Sequence, residues 1–297
     1  MAQAVTTTDQ HDALLTGLSA HRRRWSAVGS EMRVQALCWV SSVMMVVLSS
    51  SAAWAGPVTV AERFPPPPGF TRVATDADSF GAYLQALPLL PPGSPVRAFH
   101  GGAVAAPWAE AVVDLDVGSR DLQQCADSAI RLYAEYQRAR GATQTLSFHA
   151  TSGDPLPWSR YRAGERAVTS GRHLTWQRVG AVVGDDDDHV WRSWLDAVFM
   201  YAGSMSLVMD TIAVGGVVRP GDLLVVGGSP GHVLVVLDVA TASGAKADGH
   251  ERWLLGQGFM PAQSFHVLGW YAPDDAGAIT VPSWPRPFER PSRRRFR

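Results

Sequence analysis

Two apolar runs around one glycine-rich turn constrain this chain more than any other feature. Leu223 to Val226 and Val233 to Val239 are separated by Gly227-Gly228-Ser229-Pro230-Gly231 and His232, and Pro220-Gly221-Asp222 introduces the pair. Runs of this length bounded by turn residues read as strands, and a short glycine-containing connection joins them as a hairpin. Trp253 to Leu255 and Phe265 to Leu268 supply further strands, with Gln257, Met260, Pro261 and Gln263 between them.

The earlier part of the chain reads differently. Leu122, Cys125, Ala126, Ala129, Leu132, Tyr133 and Tyr136 recur at helical spacing, with Ser119 or Asp121 as cap and Gly141 beyond the end. Ser79 to Leu87, Val190 to Tyr201 and Ser204 to Ile212 also carry helical spacing. Val96 to Phe99, Ala109 to Val117 and Thr145 to His149 read as strands, and 152–172 as a loop. Helices first and a hairpin-rich end predict an α+β domain.

Ala36 to Leu48 is an uncharged apolar run preceded by Arg33 and followed by serines and Ala53-Trp54-Ala55. That order is the charged, apolar and small-residue pattern of a secretory signal. The expectation is export to the periplasm or cell envelope with cleavage after Ala55, leaving no membrane span in the mature chain. An uncut membrane anchor is the alternative, and Met32 suits a signal better than Met1 as the start. Residues 1–55 are then extension plus signal or anchor, 56–280 a single α+β domain, and 281–297 a disordered basic tail with six arginines and one glutamate.

The whole chain has 26 basic and 27 acidic residues, so it presents no global cationic field for nucleic acid. Its histidines are scattered without zinc spacing, which implies neither metal nor cofactor. Asp185 to Asp188 lacks the alternating ligands of a calcium loop and reads as a solvated acidic segment. The cysteines are Cys38, inside the apolar run, and Cys125. A mature chain with one thiol has no internal disulfide, and that thiol is either buried or reactive.

Thiolate attack on a carbonyl needs a low-pKa cysteine, an imidazole and a group that orients the imidazole. Cys125 at a helix start, His232 after the glycine turn and Gln257 on the next strand offer one of each. Gln124 and Gly231 beside them, and the aromatic Trp158, are candidates to line a substrate groove. The competing reading of Cys125 is a core thiol, because it falls in its helix's apolar stripe. The order of Cys125, Pro220-Gly-Asp-Leu-Leu224, Gly231-His-Val-Leu-Val-Val236 and Gln257 resembles papain-like cell-wall peptidases and CHAP-type amidases. That resemblance implies a papain-like arrangement of helices packed on a small antiparallel β-sheet, and hydrolysis of amide bonds in peptidoglycan peptides. Here, however, the helix before the Pro-Gly-Asp segment holds no cysteine. Asp121 to Asp127, Tyr201 to Gly203, Gly228 to His232 and Met260 to Gln263 resemble an uncharacterised bacterial exported family, domain of unknown function 4846. Two functions stand: a cysteine hydrolase, or a non-catalytic binding or structural module whose partner is peptidoglycan or another envelope component.

Overall fold

The computed structural model describes residues 57–184, 187–243 and 250–297. The apolar run, the Ala53–Ala55 motif and Cys38 lie outside the described residues. In chain order the elements are α1 (Val60–Arg63), β1 (Phe70–Arg72), α2 (Phe80–Gln85), β2 (Ala111–Val112), α3 (Cys125–Ala139), β3 (Ser147–His149) and β4 (Pro155–Pro157). They continue with α4 (Trp158–Arg162), β5 (Glu165–Ser170), β6 (His173–Arg178), α5 (Asp188–Tyr201), α6 (Leu207–Asp210) and β7 (Thr211–Ala213). The last are β8 (Leu223–Val226), β9 (His232–Ala242), β10 (Glu251–Gln257), β11 (His266–Tyr271) and β12 (Arg293–Phe296). No helix among the described residues is long and apolar enough to cross a membrane.

The dominant feature is an antiparallel sheet of eight strands in the order β2-β11-β10-β9-β8-β12-β7, with β1 pairing the far end of β9. This corrects the fold expectation: the molecule is built on a large sheet with mostly short helices, not on helices packed over a small sheet. The missing strands are short, and their residues carry no alternation that periodicity could detect. β12 reads Arg-Arg-Arg-Phe, inside the segment whose composition pointed to disorder, yet it lies between β8 and β7. It is held because the arginines find partners. Arg295 donates to both oxygens of the buried Asp222 at 2.5 and 2.9 Å, and Arg294 donates to Thr211 and to the Val208 carbonyl. Phe296 turns inward and stacks on Tyr133 of α3 at 4.1 Å between ring centroids. A charged strand can join a sheet when its charges are paired and its last side chain is apolar.

β9 occupies the sheet centre, and His232 through Ala240 are all buried. Because successive strand residues point to opposite faces, it feeds two cores. Val233, Val235 and Leu237 join Ala126, Ala129 and Ile130 of α3 on one face. Leu234, Val236 and Val239 join Trp253, Leu268, Trp284 and Phe288 on the other. Burying each such aliphatic side chain contributes about 1.5 to 3 kcal/mol. The first face continues outward into Trp158, Trp191 and Trp194, whose indoles meet at 4.9 to 5.7 Å.

α3 starts at Cys125, later than its apolar spacing implies. Asp121 cannot cap it, because its Oδ1 accepts from the Ala262 backbone at 2.7 Å and from Gln124 Nε2 at 3.2 Å. Asp127 serves instead, its Oδ2 accepting from the Gln124 backbone N–H at 3.1 Å. Residues 152–172, read as a loop, hold β4, α4 and most of a hairpin made with β6. Of the segment read as a helix over 204–212, only α6 is helical before β7 begins.

Candidate functional site

The glycine turn after β8 and the first turn of α3 form the two sides of a cleft of about 580 Å³. Gln124, Cys125 and Asp127 line it from the helix, Gly228 to Gly231 from the turn, and Met200 and Met260 from its rim. Gly231 has a specific requirement here. A Cβ at this position would lie 2.2 Å from Ser204 Oγ and 2.7 Å from the Val226 carbonyl, so only glycine lets the turn close against Ser204. Gln124, Cys125 and Gly231 therefore share one cleft. His232, Gln257 and Trp158 do not line it.

His232 belongs to the opposite face of the sheet. Its ring stacks on Trp284 at 4.9 Å and 23°, and meets Phe259 and Phe288 in the second core. Cys125 lies with α3 on the first face, close enough to the Val233 backbone for its N–H to favour a thiolate. Strand alternation enforces this separation. A side chain at 232 leaves with Leu234 and Val236, whereas α3 packs on Val233 and Val235. By that alternation the imidazole and the sulfur leave the sheet on opposite faces.

The thiol is also poorly placed for chemistry on electrostatic grounds. Burial, seconded by the neighbouring Asp127 charge, pushes Cys125 up to about 11, against the small opposing effect of backbone N–H groups. At neutral pH it is a thiol, although it starts a helix of 15 residues. The helix dipole, which favours a thiolate at a helix start, is outweighed by desolvation.

Gln257 does hold His232, but as part of a closed buried network. His232 Nε2–H donates to Gln257 Oε1 at 2.7 Å, and Ser283 Oγ donates to the same oxygen at 3.0 Å. Gln257 Nε2 donates to His266 Nε2 at 3.1 Å, and His266 Nδ1–H donates to the Ser264 carbonyl at 3.0 Å. His266, which accepts at Nε2, is consequently neutral. Burial is the main cause that depresses His232 to about 4 and also lowers His266. His266 and Ser283 carry no sequence signal for this role; only the register of β10 against β11 and the return of the chain after β11 bring them to Gln257.

Trp158 is wholly buried among Trp191 and Trp194, so it packs the core and offers no face to a ligand. Asp187 and Asp188 of the acidic run serve α5, the first by capping it through Val190 N–H at 2.9 Å and the second by an ion pair with Arg138. Among the described residues no group of three or more His, Cys, Asp or Glu is placed to hold a metal.

The residue that sequence reasoning passed over is Asp127. It is 6% exposed, lines the cleft, and has Oδ1 without a hydrogen-bond partner. Burial pushes its carboxyl up to about 8, against the backbone N–H groups that favour ionisation. The signal was available: Asp127 stands three residues after Gln124, the spacing of a capping pair. No curated protein and no solved structure matches the chain, so the resemblance to wall peptidases gains no support from relatives. Residues 60–295 match the model of a family described as a domain of unknown function (4846), and the chain belongs to that family.

Proposed function

We propose that the protein is an exported binding module that takes an amide-bearing envelope component, of the peptidoglycan-peptide kind, in the α3 cleft and performs no thiolate chemistry on it. The observation that carries this reading is Asp127 Oδ1, a buried oxygen without a partner on a residue that lines the cleft, beside Cys125, whose helix packs on the face of the sheet opposite to the one His232 enters. Unpartnered buried polar atoms are rare, and each one asks for a missing partner. Below about pH 8 the carboxyl is neutral. Its Oδ2 already accepts from Gln124 N–H, which leaves the proton for Oδ1. An O–H on a residue of the cleft wall suits an amide carbonyl, and the glycine turn offers backbone groups on the other side. Export rests on the apolar run 36–48 and the small residues before Gly56.

Calorimetry with a soluble peptidoglycan stem peptide tests both halves of the proposal. Binding is expected to weaken as pH rises through about 8, where Asp127 ionises and loses its donor. Asp127→Asn keeps a donor and is expected to bind without that pH dependence, and Asp127→Leu is expected to bind at least roughly tenfold more weakly. Cleavage of the peptide that Cys125→Ala abolishes, or alkylation of Cys125 at neutral pH as fast as a free thiol, would restore the hydrolase reading. Absence of binding by the wild-type protein would sink the module reading itself.

A further inference from the structure

A second polar cleft, of about 370 Å³, lies at the other end of α3, about 20 Å along the helix from the first. Its walls include Tyr133 of α3, Arg140 just past the end of α3, Ser147 and His149 of β3, Asp210 of α6, and Arg297. Asp210 clamps His149 twice: Oδ1 accepts from the ring Nδ1 at 2.5 Å, and Oδ2 accepts from the backbone N–H at 3.1 Å. The carboxylate side chain is 6% exposed and the imidazole 35% exposed. A carboxylate on Nδ1 fixes the tautomer and turns the other ring nitrogen outward, the arrangement by which proteins orient an imidazole for proton exchange or ligand contact. His149 Nε2 makes no hydrogen bond among the described residues.

The surroundings supply the complementary charge. Arg140 and Arg297 line the cleft, both exposed and neither in an ion pair among the described residues. Arg140 is steadied by its bond to Tyr136 hydroxyl at 2.8 Å and by lying over that ring. Tyr133 hydroxyl donates to the Arg297 backbone oxygen at 2.8 Å, and its ring is fixed by Phe296. The groups that face His149 are therefore Asp210, Tyr133, Arg140 and Arg297, with Arg294 behind Arg297. Asp210, the partial negative end of α3 and the Arg297 backbone carboxylate oppose an anion, and the guanidinium groups of Arg140 and Arg297 are the cations set against them.

We propose that this cleft binds a phosphomonoester group together with a proton, Arg140 and Arg297 holding its oxygens while His149, fixed by Asp210, donates from Nε2. The geometry suits a dianion that gains a charge-assisted hydrogen bond once the ring is protonated. Binding and protonation are then linked: the anion raises the proton affinity of His149, and affinity for the anion falls as pH rises through the titration of that ring.

The test follows histidine C2–H resonances of the whole protein against pH, with and without glycerol phosphate. His149 is expected to titrate on the order of half a unit higher, or more, in its presence. The exposed His100, His173, His189 and His250 are expected to move little, as internal references. Arg140→Gln, an exposed change, is expected to weaken glycerol phosphate roughly fivefold, and Asp210→Asn to lower the His149 midpoint. Vesicles with and without phosphatidic acid separate the two sources of the same group. A selective His149 shift with the soluble ester assigns a metabolite, and one with the phosphatidic acid vesicles a lipid headgroup. An unchanged His149 midpoint with both, or equal shifts at every histidine, would overturn the site.

Discussion

Two buried polar clusters on opposite faces of the central strands are satisfied to different degrees, although Trp108 Nε1 and Trp284 Nε1 on the second face also lack partners. On the second face Gln257 is surrounded by His232, His266 and Ser283, and its side-chain oxygen and nitrogen are both bonded. On the first face, around the start of α3, Gln123 Nε2, Asp127 Oδ1 and Ser128 Oγ are buried without partners. A satisfied buried network specifies one packing and stabilises it, whereas an unpartnered atom such as Asp127 Oδ1, on a residue that lines the cleft, is left for something else to satisfy. Of the polar residues singled out from the sequence, His232 and Gln257 turn out to support the fold, and the side chain beside Cys125 that carries the functional reading is an aspartate.

That contrast can be broken most directly at Gln257. Gln257→Leu strands His232, His266 and Ser283 in a dry interior, and urea unfolding is expected to show a loss of about 3 kcal/mol or more. Binding in the α3 cleft by the protein that remains folded is expected to be unchanged. If the variant were as stable as wild type, the network would not be what holds this face.

The faces should also titrate with opposite signs. His232 has a folded pKa near 4, below its unfolded value of 6.5, so the unfolded chain binds more protons between those values. Its contribution is complete above about pH 6.5 and is lost as pH falls toward 4, on the order of 3 kcal/mol in all. Asp127 runs the other way. Its folded pKa is raised from 3.8 to about 8, so its burial is tolerated in acid and opposes folding increasingly as pH climbs between those values. Asp127→Asn is accordingly expected to gain on wild type as pH rises, in unfolding curves taken from pH 4 to 8. A gain that shrinks over that range would mean that Asp127 is ionised in the folded protein.

The smallest effect belongs to the cysteine. Cys125→Ala removes a buried sulfur and is expected to destabilise by about 1 kcal/mol while leaving stem-peptide binding intact. A large loss of binding with no loss of stability would return the thiol to the site and blur the difference between the faces.

The helices α3 and α5 were legible because their apolar residues repeat at the helix period, and the hairpin β8–β9 and the strands β10 and β11 because they are unbroken apolar runs bounded by turn residues. β7 and β12 were not, since arginine-rich and three-residue strands depend on partners far away in the chain: Asp222 for Arg295, Thr211 for Arg294. The sheet therefore outgrew the helices only in three dimensions. At the site, the residue types were readable and their grouping was not. Cys125, Gln124 and Gly231 converge because a tight glycine turn meets a helix end. His232, one residue beyond that turn, was lost to the cleft by the alternation of a strand.

The chain's own pattern determines a buried central hairpin around a glycine-rich turn and an amphipathic helix through Cys125 to Tyr136. Which face each polar side chain reaches was decided by tertiary structure, because one residue of register moves a side chain from one core to the other. The same packing set the charges. Desolvation in those cores, more than any local helix dipole, keeps the Cys125 thiol, the Asp127 carboxyl and the His232 ring neutral near pH 7.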